Sequence, residues 1–150
     1  MPMTAVPQQR NRAIIAAVPK EQAYAFPASN LCAVTAGDAL ARSPMAVRIG
    51  CKLLAPNHVD VTPDRDRYRI SFVPEGLWLS KTKGAPPDTV QRLTPKDSTK
   101  FRRLDRSKPS HTLHRGEALY HPTEDRHITP REATRLQSFP DKHVLEGPIR

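Results

Sequence analysis

The sequence predicts an α/β fold, and three stretches predict it. Ala13 to Val18 is a continuous apolar run closed by Pro19. Its length and its Ile and Val content suit a strand buried in a parallel sheet. Thr129-Pro130-Arg131-Glu132 reads as a helix start. Thr129 is the cap, Pro130 takes the first helical position, and Glu132 stands three residues after the cap and can reach back to it. Tyr68-Arg69-Ile70-Ser71-Phe72-Val73 alternates apolar and polar residues, as a half-buried strand does.

Size and charge narrow the function. The 150 residues make one domain, or one small domain with an attached segment. With 16 prolines and 37% hydrophobic residues the chain reads as less compact than an average globule. Residues 1–91 carry 11 basic and 7 acidic residues (+4), and residues 92–150 carry 13 and 8 (+5), which sums to the net +9. The excess is spread without a basic tail and suits a polyanion such as DNA. Cys32 and Cys51 make neither a disulfide framework nor a four-ligand zinc site. No apolar run reaches membrane length and no signal-peptide core is present, so a reduced, cytoplasmic location is expected. His111, His114, His121 and His127 are loosely spaced, with no carboxylate or Cys completing a ligand set. No metal is expected, and His121 is read as a structural residue at a turn.

The elements follow in order. Before the apolar run, period-two spacing puts Gln8, Arg10 and Arg12 on one side of an extended segment. Three long donors at the mouth of a strand suit contacts to anions or bases. Val34 to Leu40 predicts a short helix with Thr35 as its cap. Met45 to Ile49 and Val59 to Val61 are short β-like pieces. Pro74-Glu75-Gly76-Leu77-Trp78 predicts a turn, and Trp78, the one Trp, is expected to anchor a small core. Lys81 to Lys100 is polar, contains Gly84-Ala85-Pro86-Pro87, and reads as a loop. In the last helix Ala133, Leu136 and Gln137 recur at helical spacing, Arg131 and Arg135 form a short basic row, and Phe139 before Pro140 ends the element.

Arg126 to Asp141, RHITPREATRLQSFPD, resembles the ninth motif of DNA cytosine-5 methyltransferases, R-x-L-T-x-R-E-x-A-R-L-Q-x-F-P-D. Ile128 replaces the usual Leu and Thr134 a usual Ala. Val6-Pro7-Gln8-Gln9-Arg10-Asn11-Arg12 is similar to the eighth motif of that family, V-P-Q-x-R-x-R, and lies upstream in the family's order. Between them Arg102-Arg103-Leu104 and Pro109-Ser110-His111-Thr112-Leu113 resemble the segment R-R-L-x-x-x-x-P-S-x-T-I that closes the target-recognition region. His121-Pro122 resembles the His-Pro before the ninth motif.

The resemblance implies methyl transfer from S-adenosylmethionine to carbon 5 of cytosine in duplex DNA, on a base flipped out of the stack. That chemistry needs a Cys thiolate as nucleophile. The sequence holds no Pro-Cys, no Glu-Asn-Val and no Gly-rich loop after a first strand. The expectation is therefore a C-terminal fragment or split subunit, with S-adenosylmethionine bound in the complete enzyme and none by this chain alone. Its partners would be double-stranded DNA and a second chain carrying the N-terminal motifs. The alternatives are a non-catalytic DNA-binding module or an inactive remnant. The implied fold is one edge of a Rossmann-like methyltransferase sheet plus a small mixed α/β recognition lobe. Residues 1–30 would hold the eighth-motif strand region, 31–115 the recognition region and 116–150 the ninth-motif helix. By the same resemblance Arg10 and Arg12 would support the cytosine pocket. Gln8, Arg102, Arg103, Thr112, Leu113, Arg131 and Arg135 would contact DNA, and the helix from Pro130 to Phe139 would brace the recognition region.

Overall fold

The computed structural model describes residues 6–9, 13, 15, 17–19, 25, 34–41, 47–48, 58–90, 101–114 and 118–147. Its strands are β1 (Gln8–Gln9), β2 (Val47–Arg48), β3 (Val59–Asp60), β4 (Phe101–Arg103), β5 (Ser110–His111) and β6 (Ala118–Tyr120). Its helices are α1 (Ala36–Leu40), α2 (Asp64–Ile70), α3 (Pro87–Val90) and α4 (Pro130–Leu136). The strands make three two-stranded ladders, β1–β5, β2–β3 and β4–β6, all parallel. The class is mixed α/β, built among the described residues from short separate pairs.

Strand β6 organises the core because successive side chains of a strand point to opposite faces. Leu119 enters one buried cluster with Ala36, Leu40, Leu104 and Leu136. Tyr120 enters a second with Ile70, Val73 and Leu79. The first cluster joins α1 to α4, and the second seats α2 beneath the β4–β6 ladder. Each fully buried Leu or Ile here contributes roughly 1.5–3 kcal/mol.

Both predicted caps form. Thr35 Oγ1 accepts the Asp38 N–H at 3.1 Å, and the Asp38 carboxylate accepts the Thr35 N–H at 2.9 Å. Thr129 Oγ1 accepts the Glu132 N–H at 3.2 Å, and Glu132 accepts the Thr129 N–H at 2.8 Å. The predicted turn at 74–78 forms with Gly76 at φ +78°. The short β pieces near 47 and 59 pair with each other.

Several expectations are corrected. Tyr68–Ile70 is the end of helix α2, not a strand. Asp64 and Asp66 occupy its first turn and Arg67 and Arg69 its last, matching the helix dipole, and Arg69 pairs with Asp66 three residues back. Ile70 and Val73, also three apart, reach the core together. Ala13, Ile15, Ala17 and Val18 lie in no strand and are exposed, Ile15 by 94%. A parallel strand is buried only when neighbours cover it, and no described residue pairs there. Helix α4 ends at Leu136 rather than Phe139. Ser138 adopts φ 63°, while the Phe139 N–H bonds the Thr134 carbonyl and the Ser138 N–H that of Arg135. This is a Schellman closure with Ser at the left-handed position. Within 81–90 the loop contains the short helix α3, and 91–100 lie outside the described residues.

Candidate nucleic-acid interface

The β1–β5 ladder brings the two ends of the predicted site together. Gln8 pairs with Ser110 and Gln9 with His111. The Ser110 N–H bonds the Pro7 carbonyl at 2.9 Å, and the Thr112 hydroxyl donates to the Gln9 carbonyl at 3.0 Å. Leu113 packs beside the first core cluster. Thus Gln8, Thr112 and Leu113, about a hundred residues apart in sequence, are neighbours. Arg10 and Arg12 lie outside the described residues, as do Cys32 and Cys51.

Strand geometry sends the adjacent arginines Arg102 and Arg103 to opposite faces. Arg103 is 6% exposed and donates to Asp125 Oδ1 at 2.5 Å and to the Ile70 carbonyl at 2.7 Å. That guanidinium ties α2 and the 121–126 turn to β4 and has no face open to DNA. Arg102 instead lies over the Trp78 ring, 4.1 Å from its centroid, with Nη1 3.2 Å from His111 Nδ1. Trp78 is half-buried beside β4 as a cross-strand neighbour of Arg102. It joins neither core cluster, so the expected core anchor is a platform.

The basic row on α4 turns inward. Arg131 is 3% exposed and donates to the His143 carbonyl at 2.9 Å. Arg135 grips Asp141 with two bonds of 2.6 Å, which hold that carboxyl below its ordinary range. These arginines fasten the turn after α4, which suits bracing and leaves little of either for phosphate.

Beneath this surface lies a buried polar cluster. Arg126 donates to both Glu132 oxygens at 2.8 Å and to Glu124 at 2.7 Å. His121 Nδ1 accepts the Glu124 N–H at 3.1 Å, so His121 closes its turn, as read from the sequence. Burial, and then the Arg126 charge, hold His121 below the usual imidazole value. A cavity of about 420 Å³ borders this cluster, lined among others by Gly37, Leu40, His121, Glu124, Arg126 and Glu132.

Sequence reasoning did not find the Trp78–Arg102–His111 contact. The one signal was the single Trp in a turn; the pairing needs β4 and β5 to meet. It also read Glu132 as a cap without its partner Arg126, although six residues separate them.

A family model for C-5 cytosine-specific DNA methylases matches residues 2–148. The chain is similar to the type II methyltransferase M.Eco47II of Escherichia coli, at 32% identity over 96% of this chain and 37% of that protein. It is similar to the type II methyltransferase M.NgoFVII of Neisseria gonorrhoeae at 30% identity, over 95% of this chain and 39% of the relative. DNA (cytosine-5)-methyltransferase 2 of Zea mays is 34% identical over 67% of this chain and 11% of its own length. The chain therefore spans about two-fifths of the bacterial relatives and about a tenth of the maize one. No solved structure matches. The eighth- and ninth-motif strings, their order and the match over nearly all residues agree: the chain belongs to the C-5 cytosine-specific DNA methylase family.

Proposed function

We propose that this chain is the target-recognition and pocket-supporting part of a DNA (cytosine-5) methyltransferase, acting with a segment that carries the catalytic Cys and the S-adenosylmethionine seat. The observation that carries the reading is the β1–β5 pairing, which sets the eighth-motif residue Gln8 beside Thr112 and Leu113. In this reading Arg10 and Arg12 contact the flipped cytosine and its phosphate, Gln8 supports that contact, and Thr112 and Leu113 border the flipping site. Helix α4 braces the recognition region through Leu136, which packs with Ala36, Leu40 and Leu104.

S-adenosylmethionine supplies the transferred methyl group in the complete enzyme. The described residues do not fit it. The cavity is bordered by the charged Arg126–Glu124–Glu132 cluster, and its described lining contains no Gly-rich loop. No step is assigned to the donor within this chain.

A tritiated methyl-transfer assay on mixed-sequence duplex tests the reading. The purified chain alone is expected to give no incorporation above a boiled control. Adding the part of M.Eco47II that this chain does not match is expected to produce incorporation. Methylation by the chain alone would overturn the division of labour. A mixture that methylates nothing, although both parts are folded, would overturn the methyltransferase role.

A further inference from the structure

Trp78, Arg102 and His111 come from separate segments and meet on one side of β4. Among the described residues Arg67, Arg69, Arg103, Arg106, Arg126 and Arg135 each pair with a carboxylate. Arg102 pairs with no carboxylate among the described residues. It rests half-buried on Trp78, and burial lowers its pKa, an effect that the Asp105 charge only partly offsets. A guanidinium has donors only, so its 3.2 Å contact requires His111 Nδ1 to be the acceptor. The imidazole proton then sits on Nε2. Burial, and then the Arg102 charge, keep this ring below its usual value and so neutral. The ring lies nearly parallel to Trp78, with planes 15° apart. Lys81 Nζ is 5.3 Å from the same Trp centroid. The group thus offers two cations and one directed N–H, and every polar atom left over is a donor. A base edge presents donors and acceptors mixed, whereas a backbone phosphate presents acceptors and negative charge.

We propose that the Trp78–Arg102–His111 stack is a clamp for a DNA backbone phosphate, with Arg102 supplying charge, His111 Nε2–H a directed hydrogen bond, and Trp78 holding both in place. This rests on the methyltransferase reading and extends it. His111 carries the clamp on β5 next to Thr112, so the clamp sets the register of the duplex against the flipping site.

Fluorescence anisotropy with a labelled mixed-sequence duplex tests it. Arg102→Gln is expected to weaken binding about five- to tenfold at low salt and to flatten the log–log salt slope by about one. His111→Gln places an amide N–H where Nε2 was and is expected to bind like wild type. His111→Asn reaches only the Nδ1 position and is expected to bind as weakly as His111→Ala. Lys142→Ala, on the exposed turn after α4, is expected to match wild type. Arg102→Gln with an unchanged slope would overturn the clamp and leave the methyltransferase reading standing. A folded wild-type chain that binds no duplex would overturn both. If Arg102→Gln does not fold, imidazole 15N shifts of the wild-type protein decide: Nε2 is expected to move on adding duplex, and no movement would sink the clamp.

Discussion

Glu132 gives both carboxylate oxygens to Arg126 at 2.8 Å each, and one of them also accepts the Thr129 N–H. Burial pushes this carboxyl up, but the Arg126 hydrogen bonds and charge, with the Thr129 N–H, outweigh it and hold it below 4.5. Glu132→Ala would leave the Arg126 charge buried with only the half-exposed Glu124 as partner. The expected loss is about 3–5 kcal/mol, read as a lower urea midpoint. Glu132→Gln keeps the shape and one acceptor oxygen, and is expected to lose less. The pH dependence has a definite sign. A carboxyl whose folded pKa is depressed binds fewer protons folded than unfolded, so its stabilisation is present above the ordinary value of 4.5 and is lost as pH falls through the folded one. Urea midpoints of the wild-type chain are therefore expected to fall as pH drops below ~4.5, and to fall less steeply in Glu132→Gln. A midpoint that rises on acidification would remove the paired-carboxylate account. His121 contributes with the same sign: held neutral in the fold, it adds to the loss as acid charges the unfolded chain.

At the scale of elements, two residues break local rules for opposite reasons. Gly37 sits inside α1, where Ala would gain roughly 1 kcal/mol from helix propensity. A Cβ there would stand 2.6 Å from the Arg106 carbonyl oxygen. The same approach lets the Gly37 and Ala36 N–H groups bond the Arg106 and Lys108 carbonyls at 3.0 and 2.8 Å. Backbone cannot yield as a side chain can, so Gly37→Ala is expected to destabilise by about 1–3 kcal/mol despite the propensity. Ser138 is the reverse case, a left-handed residue that bears a Cβ at the close of α4. Ser138→Gly is expected to raise stability by about 0.5 kcal/mol, the relief of strain being offset in part by unfolded-chain entropy. Thermal melts of the two variants should move in opposite directions; a shared direction would refute one of the two backbone arguments.

For the whole molecule, the net +9 has no basic tail to carry it, and much of the arginine inside the fold is spent on carboxylates. DNA affinity is therefore expected to depend on a few open cations yet still to fall at least about tenfold between ~50 and ~200 mM salt. Anisotropy titrations at the two salts check this, and a flat response would remove the phosphate-contact reading.

The local chemistry was legible in the sequence wherever it needed neighbours within one turn. The Thr35 and Thr129 caps, the Gly76 turn and the family strings belong to this kind, because a cap is satisfied by residues three positions away. What failed was local pattern set against tertiary demand. Tyr68 to Val73 alternates like a strand, but Asp64 and Asp66 before it, Arg67 and Arg69, and the spacing of Ile70 and Val73 serve a helix seated under Tyr120. The apolar run at 13–18 reads as buried, and burial is a property of what covers a segment, which no run of six residues contains. Charge told the same story. The sequence by itself determined that arginines abound and that family motifs hold several of them. Only the tertiary structure decided that Arg103, Arg126 and Arg131 are buried ties and that Arg102 is left on a Trp platform. The physical reason is that a guanidinium's role is set by which acceptors the fold brings within about 3 Å, and those acceptors come from segments far away along the chain.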